Sequence, residues 1–474
     1  MSVQSTPGFD LQPSSERVAL ESNYLGDASF NFMNQYLPDT YEREFERYGN
    51  RTVASFLRMV GAEMPSNSDL IKWAEQGRLH TKYTQCGTTA GAGDDTATWQ
   101  VNDTLVPTGG SIAIRKGQTI LVDFNGATTA SNKAVVTSVD YAAGTFDVAY
   151  YEGGGQGAAG TTAAASDATI MIYGSEFVKG SDSMEDSLEA NDVFFDNKPI
   201  IIKDKYAVSG SDMAQIGWVE ITTENGGTGY LWYLKSEHET RLRFEDYLET
   251  AMIETVPAEA NSGAIAATVL GNPSGSEGVF YTVNDRGNVW QGTNPATLNA
   301  WDTIVQRLDK QGSIEENALF LNRQFGFDID DMLAQQNSYG ANGSSYGLFD
   351  NDEEMALNLG FSGFRRGYDF YKTDWKYLND PTMRGGLTSD VVNGLLVPAG
   401  STSVYDQILG KNAKRPFLHV RYRASETEDR RYKNWVTGSA GGARTSGKDV
   451  MEVHFLSERC VCVLGANNFF IFKS

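Results

Sequence analysis

Several sets of side chains could carry chemistry, beginning with two cysteines near the C-terminus. Cys460 and Cys462 are two residues apart, so on a β-strand both side chains point to the same face. Paired thiolates can bind a soft metal ion, but no histidine accompanies this pair at ligand spacing. Cys86 is the only other cysteine, which gives no disulfide framework and indicates a reducing compartment. The pattern favours two small core side chains.

A glycine-rich segment near the C-terminus partly matches a phosphate-binding loop. Gly442–Lys448 reads Gly-Ala-Arg-Thr-Ser-Gly-Lys, but Asp449 follows where the loop needs a hydroxyl for Mg²⁺. The acid would repel phosphate, and a predicted strand follows, so no helix N-terminus points at an anion. Gly153–Gly157 lacks even the lysine. We expect loops without phosphate at both places.

One literal match to the nucleophile-elbow pattern Gly-x-Ser-x-Gly occurs at Gly343–Gly347. An elbow needs an apolar strand before the serine and a helix after it. The preceding residues, 335–342, are polar instead. The sequence therefore predicts a glycine- and serine-rich turn.

The four histidines show neither catalytic nor metal-binding spacing. His238 lies in a predicted long helix with no second histidine four residues later, so the zinc-protease motif is missing. His419 and His454 lie in apolar predicted strands, and His80 begins a stretch rich in Thr and Gly. For each of them we expect a buried, hydrogen-bonded structural role.

Acidic residues cluster twice in the second half of the chain. The first cluster lies early in a predicted helix, where acids favour the helix dipole, and the second is typical of a solvated loop. Neither has EF-hand spacing, so a surface Ca²⁺ or Mg²⁺ contact and a glycosidase-type carboxylate pair stay open. The clusters are Asp328, Asp330 and Asp331, then Asp350, Asp352, Glu353 and Glu354. We predict no catalytic, cofactor-binding or metal-binding residues and no enzymatic activity.

The composition is that of a folded protein with several sub-domains. The chain has 474 residues, which is too many for one compact core. Hydrophobic residues make up 40% of the chain and charged residues 21%. Its net charge of -22 argues against a general nucleic-acid binder, which needs a basic surface. The polar N-terminus shows no signal peptide, and no apolar run is long enough to span a membrane.

The elements that would position these residues begin with an aperiodic arm. Helices are predicted at Asp39–Met59 and Ser68–Gln76 from their caps and apolar spacing. A small all-β unit follows, which looks like an insertion because its composition differs from both flanks. Its predicted strands are Thr119–Phe124, Ala134–Tyr141, Thr145–Tyr151 and Thr169–Tyr173.

An extended run leading to one long helix is the most distinctive stretch. Residues 198–212 are strand-like, and Leu234–Glu254 is predicted to be an amphipathic helix. Favourable pairs four residues apart, Glu237 with Arg241 and Glu239 with Arg243, would lie on its outer side. The predicted apolar stripe consists of Phe244, Tyr247, Leu248, Ala251 and Met252.

The second half alternates between helices and strands. Thr297 caps a predicted helix at Leu298–Lys310, and a buried strand at Ala318–Asn322 precedes a helix at Gln324–Gln336. Strands are also predicted within Gly363–Leu378 and at 395–400, Phe417–Tyr422, Val450–Leu456, Val461–Leu464 and Phe469–Phe472.

This order of elements resembles the major capsid protein of tailed bacteriophages, the HK97 fold. The matching stretches are residues 197–211 for the extended loop, Leu234–Glu254 for the spine helix, 316–322 with the following helix for the axial domain, and 395–402 for a late axial strand and turn. Together the resemblance covers roughly residues 40–80 and 180–474. The N-terminal helices and the chain length are similar to those of crAss-like and related podovirus capsids.

The resemblance implies an α+β, HK97-like fold with an extended loop, a long spine helix, peripheral and axial domains, and an inserted small all-β domain. The implied segments are an N-terminal arm at 1–38, N-terminal helices and an extended segment at 39–109, the inserted β domain at 110–175, the extended loop at 176–229, the spine helix and peripheral domain at 230–290, the axial domain at 291–410, and C-terminal strands returning to both domains at 411–474.

The resemblance also implies a function and partners. Copies of the chain would form hexamers and pentamers of an icosahedral head shell that encloses double-stranded DNA without sequence-specific contact. Portal, scaffolding and head-decoration proteins would be further partners, with no membrane involved. The location would be the virion shell, after assembly in the host cytoplasm. No cofactor is implied.

Two alternatives remain open. The Tyr, Trp and Gly content and the small β unit are compatible with a receptor- or carbohydrate-binding virion surface protein, although a fibre would show repeats. A glycoside hydrolase using an Asp/Glu pair is also compatible with the acidic residues, but a secreted one should carry an export signal.

Overall fold

A computed structural model describes most of the chain. The described residues are 62–77, 80–90, 95–102, 112–124, 132–152, 168–182, 184, 187–188, 192–214, 221–222, 228–229, 232–338, 362–406, 411–442 and 444–474. The predicted arm, the Asp39–Met59 helix, Gly153–Gly157, Gly343–Gly347 and the acidic cluster at 350–354 lie outside these ranges.

Strands dominate the described residues. They are β1 (Ala62–Ser66), β2 (Ile71–Glu75), β3 (Lys82–Ala90), β4 (Thr96–Val101), β5 (Gln118–Phe124), β6 (Asn132–Asp140), β7 (Thr145–Tyr150), β8 (Ala168–Ser175), β9 (Val193–Asn197), β10 (Ile200–Ser209), β11 (Ile221–Thr222), β12 (Thr228–Gly229), β13 (Asn288–Gln291), β14 (Glu316–Leu321), β15 (Gly363–Arg366), β16 (Tyr368–Asp374), β17 (Val392–Pro398), β18 (Ser401–Asp406), β19 (Lys411–Pro416), β20 (Leu418–Arg423), β21 (Lys433–Gly438), β22 (Val450–Val463) and β23 (Phe470–Lys473).

The helices are fewer. They are α1 (Gly210–Met213), α2 (Trp232–Glu254), α3 (Gly263–Ala266), α4 (Val279–Arg286), α5 (Leu298–Gln311), α6 (Arg323–Ser338) and α7 (Lys376–Asn379). Helix and strand are mixed along the chain, which confirms the α+β class. Among the residues that the structure describes, no helix is both long and apolar enough to cross a membrane.

The chain divides into two compact units. The smaller one is Ser68–Lys198, and the larger one combines Ala62–Asn67 with Pro199–Ser474. In the smaller unit, β3, β4, β7, β6, β5 and β8 close into a barrel in that order. The four strands predicted for the small β unit are all present as β5 to β8. The barrel also uses β3 and β4, so it begins at Lys82, before the predicted segment at 110–175.

The barrel is closed because β3 pairs with both β4 and β8, and its strands alternate between inward apolar and outward polar side chains. In β7, for example, Phe146, Val148 and Tyr150 are buried, while Asp147 between them is exposed. Buried Trp99 of β4 donates its indole N–H to the Tyr150 hydroxyl at 3.1 Å, so this polar atom has a partner inside the barrel. The core is therefore filled rather than open.

The predicted short helix at Ser68–Gln76 is wrong. Residues Ile71–Glu75 form β2, which pairs with β9 as an antiparallel two-stranded ribbon. Ile71 and Trp73 alternate with Lys72, which is the strand period, and Trp73 contacts Phe195 of β9. The helix is predicted because Ser68 is a typical helix cap. The strand forms instead because it pairs with β9, which lies more than a hundred residues away and is not visible in the local sequence.

The larger unit contains a five-stranded sheet arranged around β22. The order β1-β20-β22-β10 forms the main path, and β21 pairs with β22 beside β20. The sequence predicted two strands here, Val450–Leu456 and Val461–Leu464, separated by residues 457–460. These residues are instead buried inside one strand of 14 residues. Glu458 binds Arg423, Arg459 binds Glu63, and the Ser457 hydroxyl donates to the Arg431 carbonyl.

A six-stranded mixed sheet forms the second layer of the larger unit, in the order β13-β23-β17-β14-β16-β15. Strand β17 is buried along its whole length, and α5 packs its Trp301, Ile304 and Leu308 into a core that includes Phe370 and Phe472. The predicted α5 with its Thr297 cap is confirmed, since the Thr297 hydroxyl accepts from the Ala300 N–H at 3.3 Å.

One core joins the two sheets of the larger unit. It contains Met252 and Ile253 of α2, Phe320 of β14, and Val461 of β22. The end of α2 is therefore packed between the two layers. Earlier along α2, Phe244 and Leu248 contact side chains of β22 on the five-stranded sheet.

Helix α2 confirms the predicted long helix within two residues, with two differences on its surface. Tyr247 belongs to the predicted apolar stripe but is half exposed. Arg243 does not pair with Glu239; it binds Asp204 of β10 at 3.1 Å, while Lys235 lies near Glu239. Arg241 does pair with Glu237, at 3.8 Å. Packing against β10, which the helix pattern alone does not contain, redirects Arg243.

We expect Leu248→Asp to unfold the larger unit. Leu248 is buried against the β22 core, so an unpaired carboxylate there should cost about 4 kcal/mol or more in the free energy of unfolding. Tyr247→Asp adds the same charge at the next, half-exposed position and should leave the midpoint of chemical denaturation nearly unchanged. Equal stability of the two variants would show that the helix face is assigned wrongly.

Candidate functional site

The cysteine pair lies in the middle of the five-stranded sheet. Cys460 and Cys462 are both buried on β22, opposite Arg421 and His419 of β20. A hydrogen bond that the Cys460 thiol donates to Cys462, together with burial, raises the pKa of Cys460 above its ordinary value. Burial of both thiols confirms the predicted core role. No group of three or more His, Cys, Asp or Glu side chains within the described ranges is arranged to hold a metal ion.

The segment that resembles a phosphate-binding loop is followed by a strand and not by a helix. Residues 439–449 form turns and bends, apart from position 443 outside the described ranges, and β22 begins at Val450. The Ser439 hydroxyl donates to the Lys448 carbonyl at 2.6 Å, which ties the two ends of this loop together. The predicted strand after the loop is confirmed.

The histidines do not come together. His419 is buried, with Nδ1 3.3 Å from the Pro416 carbonyl, as expected for a structural histidine. His454 is half buried, stacks on Trp435 and has Nε2 2.7 Å from the Thr437 hydroxyl. His238 is half buried on α2, and His80 is exposed, so the expectation of burial is wrong for His80.

The first acidic cluster is used for internal pairing. On α6, Asp328 accepts from the Asn294 and Gln324 amides at 2.7 and 3.0 Å. Asp330 binds the Lys372 ammonium at 2.5 Å, and both side chains are largely buried. The Asp330 pair holds α6 against β16, and Asp328 joins α6 to the segment before α5, which accounts for both carboxylates as structural groups.

A charged cluster at the end of α2 was not found from the sequence. Arg384 donates to Glu254 at 2.6 Å and to the Asp390 carboxylate at 3.0 Å, and its guanidinium lies 5.2 Å from the centre of the Phe280 ring. Tyr377 donates to the other Glu254 oxygen at 2.7 Å. Burial, followed by this bond to a carboxylate, raises the pKa of Tyr377. We call these five residues the Arg384 cluster.

The Arg384 cluster connects distant parts of the larger unit. Glu254 ends α2, Phe280 belongs to α4, and Asp390 also binds Lys473 of β23 at 3.0 Å. The bonds from Lys473 and Arg384 lower the pKa of Asp390. Glu254 lies more than a hundred residues from Tyr377 and Arg384, so no local pattern in the sequence indicates this cluster. The cluster fixes the end of the long helix to the six-stranded sheet.

Two exposed features could contact other molecules, one in each unit. In the larger unit, β10 pairs with β22 along ten residues, and no other described strand pairs with its second edge. In the smaller unit, the β2–β9 ribbon has only two strands and exposes Val193 and Phe194, with Phe194 68% exposed. Isolated two-stranded ribbons are marginally stable in water. Apolar side chains on such a ribbon indicate a surface for a partner.

Exposed edge strands can pair with other chains unless features such as charged side chains oppose this pairing, and β10 has some of these features. Lys203, Asp204 and Lys205 place charges in the middle of the strand. The Asp204 carboxylate accepts the Lys205 backbone N–H at 2.8 Å, so one edge donor is already satisfied. Pairing at this edge would therefore be selective rather than general.

Comparison with known proteins finds similarity only at the level of structure. No protein-family model matches the chain, and no curated protein matches it. A chain from Microbacterium phage Oxtober96 has a TM-score of 0.39 and 9% identity over 94% of this chain and 98% of that chain. A chain from Gordonia phage Cozz has a TM-score of 0.38 and 9% identity over 98% of both chains.

A third similar structure is described as the asymmetric unit of the bacteriophage PhiM1 mature capsid. Its TM-score is 0.32 at 9% identity, over 64% of this chain and 78% of that chain. All three TM-scores are below the range that establishes a shared fold. The comparisons thus find bacteriophage structures, while the role of this chain rests on its own features.

Replacing Arg384 with Gln should destabilise the larger unit by about 2 kcal/mol, because it removes charge-assisted bonds that hold Glu254 and Asp390. The Arg384 side chain is only 10% exposed, so solvent cannot replace these bonds. Arg323→Gln is the matched control: Arg323 pairs with Asp374 but is 62% exposed, and its loss should cost less than about 1 kcal/mol. Urea denaturation measures both, and equal effects would contradict a special role for the cluster.

Proposed function

We propose that this chain is a major capsid protein that assembles into the icosahedral head shell of a tailed bacteriophage. The observation that carries the proposal is the β2–β9 ribbon, which presents apolar side chains to solvent next to a barrel whose own core is complete. Such a surface has a physical reason to bind another molecule. In a shell, another copy of the same chain is always available.

The larger unit has the properties that a shell subunit needs. One core joins both sheets to the end of α2, and the Arg384 cluster adds ion pairs at the same place. A subunit built in this way keeps its shape when forces act on its edges. The open edge of β10 offers a second place where a neighbouring copy could add backbone hydrogen bonds.

The charge of the chain agrees with an enclosed DNA genome. With 39 basic and 61 acidic residues, the subunit repels phosphate on average, so packed DNA would not adhere to the wall. The order of extended segment, long helix and α/β block agrees with the HK97-like arrangement implied by the sequence. Hexamers, pentamers, portal, scaffolding and decoration proteins belong to the same proposal, as does a location in the virion after assembly in the host cytoplasm.

Assembly of the purified protein tests this function. We expect the full chain, expressed alone, to form shells, tubes or rings when its concentration is raised. Dynamic light scattering measures the particle size, and negative-stain electron microscopy shows the particle shape. A folded chain that stays monomeric over the whole accessible concentration range would contradict the proposal.

The variant Phe194→Asp should block assembly without unfolding the chain. Phe194 is exposed, so the charge costs little in the isolated subunit, but it would be desolvated in a contact between copies. Phe327→Asp, at another half-exposed phenylalanine on α6, is the matched control and should assemble. If Phe194→Asp forms particles as readily as the unmodified chain, the ribbon is not an assembly surface.

A further inference from the structure

The outside of the barrel carries a second exposed aromatic surface that shell assembly does not explain. Tyr151 is 48% exposed and Tyr173 is 49% exposed, and Met171 and Phe177 beside them are also exposed. The barrel does not need these side chains, because its inward residues already form a complete core. We call Tyr151, Met171, Tyr173, Glu176 and Phe177 the tyrosine patch.

Strand register places the tyrosine patch on one continuous stretch of the outer barrel surface. Met171 of β8 lies opposite Leu121 of β5, and Leu121 lies opposite Lys133 of β6. Tyr151, directly after β7, donates its backbone N–H to the Lys133 carbonyl at 3.1 Å. Leu121 and Lys133 on the two strands between therefore connect the patch residues of β8 with Tyr151 across the outer surface of the barrel.

A carboxylate of the patch accepts a hydrogen bond from one of its tyrosines. The Tyr151 hydroxyl donates to Glu176 Oε2 at 2.5 Å. Burial, this bond, the charge of Glu176 and the nearby Tyr173 together raise the pKa of Tyr151 to about 12. Tyr151 thus stays neutral at physiological pH and can donate its hydroxyl hydrogen to a negatively charged acceptor.

The backbone holds this carboxylate in place. Glu176 donates its N–H to the Gly117 carbonyl at 3.0 Å. The Phe177 ring covers Gly117, where a Cβ atom would come within 2.5 Å of the ring and where φ is +82°. Only glycine fits this position without strain. The arrangement of Glu176 and Phe177 is therefore fixed before any ligand arrives.

The chemistry of the tyrosine patch selects among classes of ligand. A purely apolar partner would bury Glu176 without a new hydrogen bond, which is unfavourable. Exposed Lys133 beside Tyr151 opposes a cationic ligand, and Glu176 opposes an anionic one. A neutral sugar ring has an apolar face for stacking on a tyrosine and hydroxyls that can donate to the carboxylate and accept from the lysine.

We propose that the tyrosine patch of the barrel binds a neutral polysaccharide. The two half-exposed rings supply stacking surfaces, Glu176 beside Tyr151 supplies an acceptor, and exposed Lys133 supplies a donor. The surface is open to solvent, which suits a chain of sugars rather than a single enclosed ring. This activity goes beyond shell formation and belongs to the smaller unit alone.

Affinity electrophoresis of the full chain tests the proposal. The native gels contain laminarin, mannan, dextran or xylan, and one control gel contains no polysaccharide. We expect at least one of these polymers to retard the protein. Tyr173→Ala should weaken the retardation by roughly tenfold, the scale on which removal of a stacked aromatic ring acts in other stacking sites. Glu176→Gln should weaken it while keeping the side-chain shape.

Tyr371→Ala is the matched control, because Tyr371 is 54% exposed on strand β16 of the larger unit. It should migrate as the unmodified chain does in every gel.

A thermal melt shows whether each variant is folded, and a Tyr173 variant that does not fold is replaced by Tyr151→Phe, which loses only the bond to Glu176. The proposal is overturned if none of the four polymers retards the unmodified chain. It is also overturned if the patch variants change only self-association, which would make the patch a contact between copies.

Discussion

The larger unit depends on one strand, β22, which pairs with three others and supports the long helix. Its 14 residues match β10 along ten positions and divide their other edge between β21 and β20. A slip of one residue would turn every core side chain outward, so the buried residues fix its register. Glu458 and Arg459 interrupt its apolar run, yet both are paired with charges on neighbouring strands.

Charge pairs extend this constraint to parts of the chain that are far apart in sequence. Glu63 of β1 binds Arg459 at 3.2 Å, and Glu254 at the end of α2 binds Arg384. Both sites lie where separate elements meet, so each pair determines an angle between elements rather than adding to a core. For a proposed shell subunit this matters, since the geometry of a closed shell depends on small angles repeated in every copy.

The smaller unit depends on closure of its barrel rather than on one central strand. Its barrel is closed and filled, so its strands leave no edge for pairing, and side chains on its outer surface face solvent. Ribbon β2–β9 precedes and follows the barrel in sequence, which makes the barrel an insertion between two paired strands. The proposed contact between copies and the proposed sugar-binding surface thus lie on different parts of one unit.

Local patterns in the sequence determined the long helix, α5 with its cap, the strands of the small β unit and the buried cysteine pair. Each depends on spacing between near neighbours, which the chain carries in its own order. Tertiary structure decided that Ile71–Glu75 is a strand, that β22 is continuous and that the barrel begins at Lys82. It also assembled the Arg384 cluster and the tyrosine patch. In all these cases the stabilising partner lies far away in sequence, so only folding brings the interacting groups together.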